Sequence, residues 1–599
     1  MRFISTWLLA AVVAVAGATS ALVARGQAPA ARSPYRTLDD RFDPPHYSTV
    51  DAWKPRAAYV REHVLASAGL LPLPEKTPLR PAIFGEIRQS DHIVAKVHFE
   101  SLPGFFVTGN LYRPVGDGPF PAILSAHGHW TYGRLENTPV MSGPGRAINL
   151  ARQGFVVFTY DMVGYNDSQQ VPHTFSGPRE YLWGLSLSGL QLWNSIRSLD
   201  FLESLPYVRK DAIGMTGESG GGTQTFLTAA VDPRIAVAAP VNMISLHMQG
   251  GCLCENPPGL RLDTTNVEIA ATIAPRPLLM VSATGDWTAE TLELEYPAVR
   301  AIYDLFGAAG RVRAVRMDAV HNYNKDSREA MYAWMARWLQ DAPADVHPLD
   351  RSFSPESLSS LLVFHQRPLP PNALDVAGLT DAWIAGAKRQ LAGGDPSIFR
   401  SSLRHALGFA AEREVVSSGT PKRTDRPLGT VLIGASNPRL GRALTTAGLR
   451  VEVIPQARFD MDAAGKVRHF DTYNRTAASQ RVADIVAAVR AHPDAALVAD
   501  GDLALAAILA AAITPVRLAI LDVGAFDTSS DAAFVDHLYI PGLRRAGDLQ
   551  TAVSMARGEI VVHNAAAQFN VSGLRAQPTA LAPADIAALI RKTASIRSR

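Results

Sequence analysis

The sequence lacks several features that would assign it to a common class of protein. It has only two cysteines in 599 residues, so no disulfide framework holds it together. Its 58 lysines and arginines nearly balance 55 aspartates and glutamates, which leaves a net charge of +3. The basic residues are scattered along the chain rather than clustered, which argues against a nucleic-acid partner. The segment Gly434-Ala435-Ser436, which follows a predicted strand, lacks the pattern G-x-G-x-x-G, so no nucleotide cofactor is expected.

Long apolar runs are also scarce. The run from Trp7 to about Ala18 follows Met1-Arg2 and leads into small residues with A-x-A-like cleavage sites. This layout predicts a secretory signal peptide at residues 1–28, with an uncleaved anchor as the alternative. Ala504–Ala512 is too short to cross a bilayer. We therefore expect a periplasmic or secreted protein without stable membrane insertion after signal cleavage.

The two cysteines, Cys252 and Cys254, are separated by one residue. In an oxidising compartment they could close a tight, strained disulfide ring. Two thiols without an adjacent set of histidine or cysteine partners are weak evidence for a metal site. The sequence therefore favours a local structural or redox role, and we expect neither a metal nor a cofactor.

The chain is longer than one core usually supports, and its patterns divide it into units. Residues 29–82 are predicted to be an extended and helical leader. Residues 83–343 start with antiparallel strands and then alternate strands with helices, among them one helix over Tyr181–Glu203. After a linker and helical segment at 344–427, the alternation returns over 428–599. This predicts an α/β fold with a doubly wound, mostly parallel sheet, followed by a second, smaller α/β domain.

A strand, a sharp turn and a helix are predicted around one serine of the first unit. Apolar Ile213 and Met215 run into Gly217-Glu218-Ser219-Gly220-Gly221, and a helix-compatible run follows. In a G-x-S-x-G elbow, strained backbone geometry holds the serine hydroxyl above the sheet edge. A Gly/Ser cluster can also be a simple turn, so the interpretation of Ser219 as a nucleophile depends on partners elsewhere in the chain.

Candidate partners of Ser219 follow it in the chain, first an acid and then a histidine. A serine needs a base to take its proton, and the base needs a carboxylate that fixes its tautomer. The predicted strands before Asp286 and before His321 end just ahead of those side chains. We therefore predict Ser219 as nucleophile, Asp286 as acid and His321 as base. Asp318, three residues before His321, is the alternative carboxylate.

Negative charge that develops on the attacked carbonyl oxygen needs hydrogen-bond donors already in place. The amide after the nucleophile belongs to Gly220, and a second amide is expected from the loop Ala126-His127-Gly128-His129-Trp130. We predict His129 as this second donor, with Trp130 as the alternative. The imidazole of His127 is predicted to brace the loop rather than to transfer protons.

Over about residues 85–340, these motifs resemble the α/β-hydrolase superfamily, and most closely exported bacterial esterases of the dienelactone-hydrolase and acetyl-xylan-esterase type. The resemblance rests on the His127-Gly128-His129 loop, Asp161 after a strand, the elbow, Ala274-Pro275-Arg276-Pro277-Leu278-Leu279 leading to Asp286, and His321. It implies a serine esterase that uses Ser219, Asp286 and His321. Acetyl-xylan esterases commonly have Gln after the serine and Tyr in the loop, where this chain has Gly220 and His129, and dienelactone hydrolase itself uses a cysteine.

We therefore expect a secreted serine hydrolase that cleaves carboxylic esters and binds a small-molecule or carbohydrate ester, with an acetyl-xylan-like substrate favoured. Aromatic residues in the insert Asp161–Trp183 suit sugar rings, although such residues more often pack in cores. The alternatives are a serine peptidase of the same superfamily and a catalytically idle carbohydrate-binding or scaffold protein. The sequence does not indicate an oligomeric state.

The second unit resembles the elbow and its helix in one stretch, Ala496–Ala512. There the place of the serine is taken by Asp502 or Leu503, so no nucleophile is predicted. A degenerate hydrolase-like repeat that serves as a scaffold is the favoured interpretation, and an unrelated α/β module is the alternative.

Overall fold

The computed structural model describes residues 33–410, 430–434 and 438–595, so the predicted signal peptide lies outside the described residues. The α-helices are α1 (Val50–Ser67), α2 (Gly143–Arg152), α3 (Pro178–Leu182), α4 (Leu187–Ser204), α5 (Gly220–Val231), α6 (Asn266–Ala271), α7 (Glu295–Leu305), α8 (Lys325–Leu339), α9 (Leu358–Leu361), α10 (Val376–Gly393), α11 (Pro396–Ala406), α12 (Pro438–Thr446), α13 (Met461–Gly465), α14 (Phe470–Tyr473), α15 (Ala477–Ala491), α16 (Gly501–Ile513), α17 (Asp531–His537), α18 (Asp548–Met555) and α19 (Pro583–Ser595). Short 3-10 turns occupy Gly133–Leu135, Leu253–Glu255 and Ala309–Arg311. Within the described ranges, no helix is long and apolar enough to cross a membrane.

The strands form two large sheets and one short hairpin. They are β1 (Ala82–Arg88), β2 (Ile93–Leu102), β3 (Phe105–Arg113), β4 (Phe120–Ser125), β5 (Asn137–Thr138), β6 (Met141–Ser142), β7 (Val156–Tyr160), β8 (Val208–Glu218), β9 (Ile235–Val241), β10 (Leu278–Gly285), β11 (Val312–Val320), β12 (Val431–Gly434), β13 (Val451–Val453), β14 (Ala496–Asp500), β15 (Leu518–Asp522), β16 (Glu559–His563) and β17 (Arg575–Ala576).

The first sheet has nine strands in the order β1-β2-β3-β7-β4-β8-β9-β10-β11. The pairs from β1 to β7 are antiparallel, and every pair from β7 to β11 is parallel. Strands such as β7 are buried along their whole length because helices cover both faces. The predicted doubly wound, mostly parallel sheet is confirmed, and its parallel strands bring their carboxyl ends to one edge.

The second sheet has six strands in the order β13-β12-β14-β15-β16-β17, and all neighbouring pairs are parallel. One continuous cluster of buried apolar side chains extends from the first sheet to the second, for example from Met215 on β8 to Leu497 on β14. The two sheets therefore share a core. Part of the segment predicted as a linker packs on the first unit, where Arg328 of α8 pairs with Asp350 at 2.5 Å.

Two details of the predicted elements are wrong. Tyr181–Glu203 is not one helix, because α3 ends at Leu182 and the Ser186 hydroxyl starts α4 by accepting from the Gly189 amide at 3.1 Å. In the second unit, the turn between β14 and α16 has its positive φ at Gly501 (54°), close to the 56° of Ser219. Gly501, rather than Asp502 or Leu503, therefore occupies the turn of this serine-free counterpart.

Two buried histidines meet where α1 contacts α11. The Nδ1 of His63 lies 3.0 Å from the Nδ1 of His405, and its Nε2 lies 3.1 Å from the Gly259 carbonyl oxygen. His63 can donate to the carbonyl and accept from His405 only while it is neutral. Burial, followed by the charge of His405, lowers the pKa of His63 to about 4, although Asp263 opposes this shift.

This pair predicts a loss of stability in acid. A histidine in the unfolded chain has a pKa near 6.5, so between about pH 6.5 and 4 the unfolded chain binds a proton that folded His63 does not bind. The free energy of unfolding therefore decreases as the pH falls from about 6.5 towards 4. The contribution reaches about 3 kcal/mol at the acid end of this window. Denaturant unfolding of His63→Asn between pH 8 and 4 should show a shallower pH dependence than the original protein, whereas the exposed control His347→Asn should not. Equal slopes for His63→Asn and the original protein would contradict the assignment.

Candidate active site

Ser219 stands between β8 and α5 in strained backbone geometry, with φ 56° and ψ −121°. Its amide donates to the Val241 carbonyl oxygen at 3.0 Å, which fixes the turn against the end of β9. The loop after β4 passes so close that a Cβ at Gly128 would lie 3.0 Å from the Ser219 Cβ. Glycine leaves room for this close approach, so the loop packs directly against the elbow.

His321 follows β11 and pairs with Asp286, which follows β10. The Nδ1 of His321 lies 2.7 Å from Oδ2 of Asp286. The other carboxylate oxygen accepts from the amide and the hydroxyl of Thr288, at 2.7 and 2.5 Å. The side chain of Asp286 is only 2% exposed, against 25% for His321. Asp318, the alternative carboxylate, instead accepts from the Thr284 hydroxyl at 2.8 Å.

The elbow and the His321 segment lie at the same edge of the sheet. Asn242, next to the Val241 carbonyl that holds Ser219, donates to the Asn322 carbonyl oxygen at 3.2 Å. Two indole rings, those of Trp287 and Trp130, lie 4.6 and 6.3 Å from the imidazole of His321. In the described part of the chain no hydrogen bond joins the imidazole to the Ser219 hydroxyl, and such contacts often tighten only when substrate is bound.

A buried ion pair between Glu218 of the elbow and Arg146 of α2 lies beside the loop after β4, and no sequence pattern pairs these two residues. Glu218, which is 0% exposed, accepts from the Gly128 amide at 2.9 Å and from the Trp130 indole at 3.0 Å. Its second oxygen accepts from Arg146 of α2 at 2.8 Å. Arg146 also donates to the Ala126 carbonyl oxygen at 3.1 Å. Glu218 therefore fixes the loop that is predicted to supply an oxyanion donor.

We expect Glu218→Gln to lower both stability and turnover. An amide cannot accept from both sides, so one buried donor loses its partner, at a cost of about 3 kcal/mol. A shift of the loop by even about 1 Å should lower kcat roughly 100-fold. The matched control is Glu268→Gln, which removes a buried carboxylate that pairs with Arg56 at 2.9 Å. This control should lose stability and keep its kcat; an unchanged kcat in Glu218→Gln would show that the loop does not depend on this ion pair.

The loop after β4 contains His127, whose ring contacts the backbone on both sides. His127 is fully buried, with its Nδ1 2.7 Å from the Gly128 carbonyl oxygen, while its Nε2 accepts from the Met162 amide at 3.0 Å. Burial lowers its pKa to about 3. Both ring nitrogens are therefore committed to the backbone, which suits a brace. The Gly128 amide is committed to Glu218, and the next amide in the loop is that of His129.

Asp161, which follows β7, lies in a buried polar network behind this loop. It accepts from the hydroxyl of Thr108 at 2.7 Å, from Arg134 at 3.1 Å and from Asn166 at 2.8 Å. Its burial raises the pKa of the carboxyl group. These contacts give Asp161 a structural role, because both of its carboxylate oxygens accept hydrogen bonds from neighbouring side chains.

One group of side chains next to the elbow has the composition of a metal site. Both cysteines are free, so the disulfide that their spacing allowed is not formed. Cys252 and Cys254 lie beside His173 and His129, which are 79 and 125 residues away in the chain. The histidines that could complete a metal site with the cysteines therefore come from other loops, and neither periodicity nor sequence spacing indicates them.

The parallel sheet, the elbow and the polar side chains at its edge define an α/β-hydrolase fold, and the predicted resemblance to esterases of this fold is confirmed. Comparison with known proteins supports a hydrolase and, among hydrolases, an esterase.

No protein-family model matches the chain. YtaP of Bacillus subtilis strain 168, provisionally named a hydrolase, is 26% identical over 288 residues, which are 45% of this chain and 95% of YtaP. The solved structure of the methylesterase BT1017 is 28% identical and has a TM-score of 0.51; the match covers 58% of this chain and 78% of that one. A provisionally named acetyl xylan esterase from Bacteroides fragilis NCTC 9343 is 15% identical over 53% of this chain and 83% of its own, with a TM-score of 0.39.

Proposed function

We propose that the protein is an exported serine esterase that hydrolyses carbohydrate esters through an acyl-enzyme. The observation that carries this proposal is the 2.7 Å contact between His321 and buried Asp286, at the sheet edge where strained Ser219 lies. A carboxylate on Nδ1 holds the proton there and leaves Nε2 free to accept another. Export rests on the N-terminal sequence pattern alone.

In the proposed reaction, Nε2 of His321 takes the proton of Ser219 as the hydroxyl oxygen attacks the ester carbonyl carbon. The amides of Gly220 and His129 receive the negative charge on the carbonyl oxygen. His321 then gives its proton to the alcohol as the ester bond breaks. Water, deprotonated by the same imidazole, attacks the acyl-enzyme, and the acid leaves as Ser219 regains its proton.

The substrate class is proposed from the surroundings of His321 and from the likeness to BT1017. The half-buried rings of Trp287 and Trp130 offer flat apolar surfaces beside the imidazole, and sugar rings stack on such surfaces. The name of BT1017 describes it as a methylesterase, which favours ester substrates over amides for this chain.

A substrate panel tests the proposal. The purified protein should hydrolyse p-nitrophenyl acetate together with an acetylated xylo-oligosaccharide or the methyl ester of a sugar acid, and it should not cleave a peptide p-nitroanilide. Cleavage of the peptide alone would favour the peptidase alternative. Absence of all turnover, with no adduct on Ser219 after treatment with a serine-directed phosphonate, would favour the idle scaffold.

A further inference from the structure

Four side chains from three separate loops point their ligating atoms at one another beside the elbow. They are His129 after β4, His173 after β7, and Cys252 and Cys254 after β9, and their ligand atoms all lie within 4.8 Å of one another. The Nε2 of His129 lies 3.1 Å from the Cys254 sulfur, and the Nε2 of His173 lies 3.4 Å from the Cys252 sulfur. The three loops that carry them meet only in the folded protein.

The size and chemistry of this group suit zinc. Two thiolates and two imidazoles are a common donor set of structural zinc sites, in which metal–ligand bonds of about 2.0–2.3 Å place neighbouring ligand atoms roughly 3.6 Å apart. The contacts of 3.1 and 3.4 Å are already near that spacing. Soft thiolates also disfavour magnesium and calcium, which prefer oxygen ligands.

The surroundings orient the ligands as a metal site requires. Nδ1 of His173 lies 2.6 Å from the Val163 carbonyl oxygen, so this nitrogen carries the proton and Nε2 presents its lone pair to Cys252. The buried carboxylate of Glu255 accepts from the amides of Gly251 and Cys252, at 2.7 and 2.9 Å, which fixes the cysteine loop. The four ligands range from exposed His129 to buried Cys254, so the site lies near the protein surface at His129.

We propose that His129, His173, Cys252 and Cys254 bind one Zn²⁺ ion as a structural site that joins three loops at the edge of the sheet. Four protein ligands complete a tetrahedron and leave no position for a reacting water, so the ion stabilises the loops and does not act on substrate. This replaces our sequence-based expectation that the protein binds no metal.

The position of the site connects it to the elbow and to the second unit. The His129 ring lies against the elbow, because a Cβ on Gly220 would be 2.8 Å from its Cε1 atom. From the second unit, Arg468 donates to the Gly251 carbonyl oxygen at 2.5 Å, and the Thr472 hydroxyl donates to the Asn256 carbonyl oxygen at 2.9 Å. The second unit thereby supports the cysteine loop, and the metal would fix the loop whose amide is proposed to bind the oxyanion.

Metal content is the first test. Protein purified from zinc-supplemented cells without chelators should contain about one zinc per chain by elemental analysis, and His173→Ala and the double variant Cys252→Ser/Cys254→Ser should contain less than about a tenth of that. The matched control His247→Ala, on the same stretch of chain outside the group, should keep its zinc. Ser219→Ala should also keep it, so a failure of the proposed esterase mechanism would not resemble a failure of the zinc site.

Chelation tests the site in the unaltered protein, so that the result cannot be attributed to misfolding of a variant. Treatment with 1,10-phenanthroline should lower Tm by about 5 °C or more, and added Zn²⁺ should restore it, with neither effect in the cysteine variant. Ester turnover should fall roughly tenfold or more, because the His129 amide would no longer be aligned with the oxyanion. This consequence rests on the proposed function. The proposal is overturned if apo protein binds Zn²⁺ no tighter than the cysteine variant, if His173→Ala keeps full zinc, or if the mass of fresh protein shows a Cys252–Cys254 disulfide.

Discussion

Ser219→Ala should lower ester turnover about 10⁶-fold, because it removes the hydroxyl that forms the acyl-enzyme in the proposed reaction. What remains should be the small acceleration due to binding and the oxyanion amides. Alanine tolerates the φ of 56° about as well as serine does, and the Ser219 amide keeps its bond to Val241, so Tm should change little. The measurement is kcat/KM on one ester for both proteins, together with thermal unfolding.

A second buried serine at the same edge provides the control. Ser282 lies within β10, three residues before the strand ends, and its hydroxyl is 3.3 Å from the Val315 carbonyl oxygen, outside the proposed machinery. Ser282→Ala should keep turnover within about threefold, since it loses a single weak hydrogen bond. If Ser219→Ala kept more than about a hundredth of the original rate, the nucleophile would have to be another group.

The sequence predicted the strands of the first sheet well, because strands buried on both faces must be short apolar runs. β9 is such a run, with apolar residues at every position from Ile235 to Val241. The predicted acid and base rest on strand order instead, since Asp286 follows β10 and His321 follows the half-buried edge strand β11, and parallel strands end at one edge. Local patterns were therefore enough to bring these two residues together.

Contacts between loops could not be predicted in this way. Glu218 and Arg146 are 72 residues apart, and neither the elbow motif nor the periodicity of α2 indicates that they pair. His129 and Cys254 are 125 residues apart, so the sequence around the two cysteines does not reveal the histidines that lie beside them. The break between α3 and α4 was missed for another reason, since the Ser186 cap competes with an apolar periodicity that continues across it.

Asp286→Asn should lower ester turnover about 10⁴-fold near neutral pH. Two donors of Thr288 face one oxygen of Asp286, so the asparagine oxygen will turn towards Thr288 and its NH2 group will face Nδ1 of His321. Nδ1 must then accept a hydrogen bond, which moves the ring proton to Nε2 and removes the base that Ser219 needs. Substrate binding does not require that base, so KM should change far less than kcat.

Asp318→Asn is the matched control, because the same substitution is made three residues before the histidine. Asp318 is exposed, and its carboxylate accepts from the Thr284 hydroxyl, which an asparagine oxygen can also do. Turnover should stay within about twofold, since an exposed polar contact of this kind contributes little. The opposite result, a large loss in Asp318→Asn beside a small one in Asp286→Asn, would mean that His321 changes its carboxylate partner during the reaction, and the fixed pair at 2.7 Å would then not be the catalytic one.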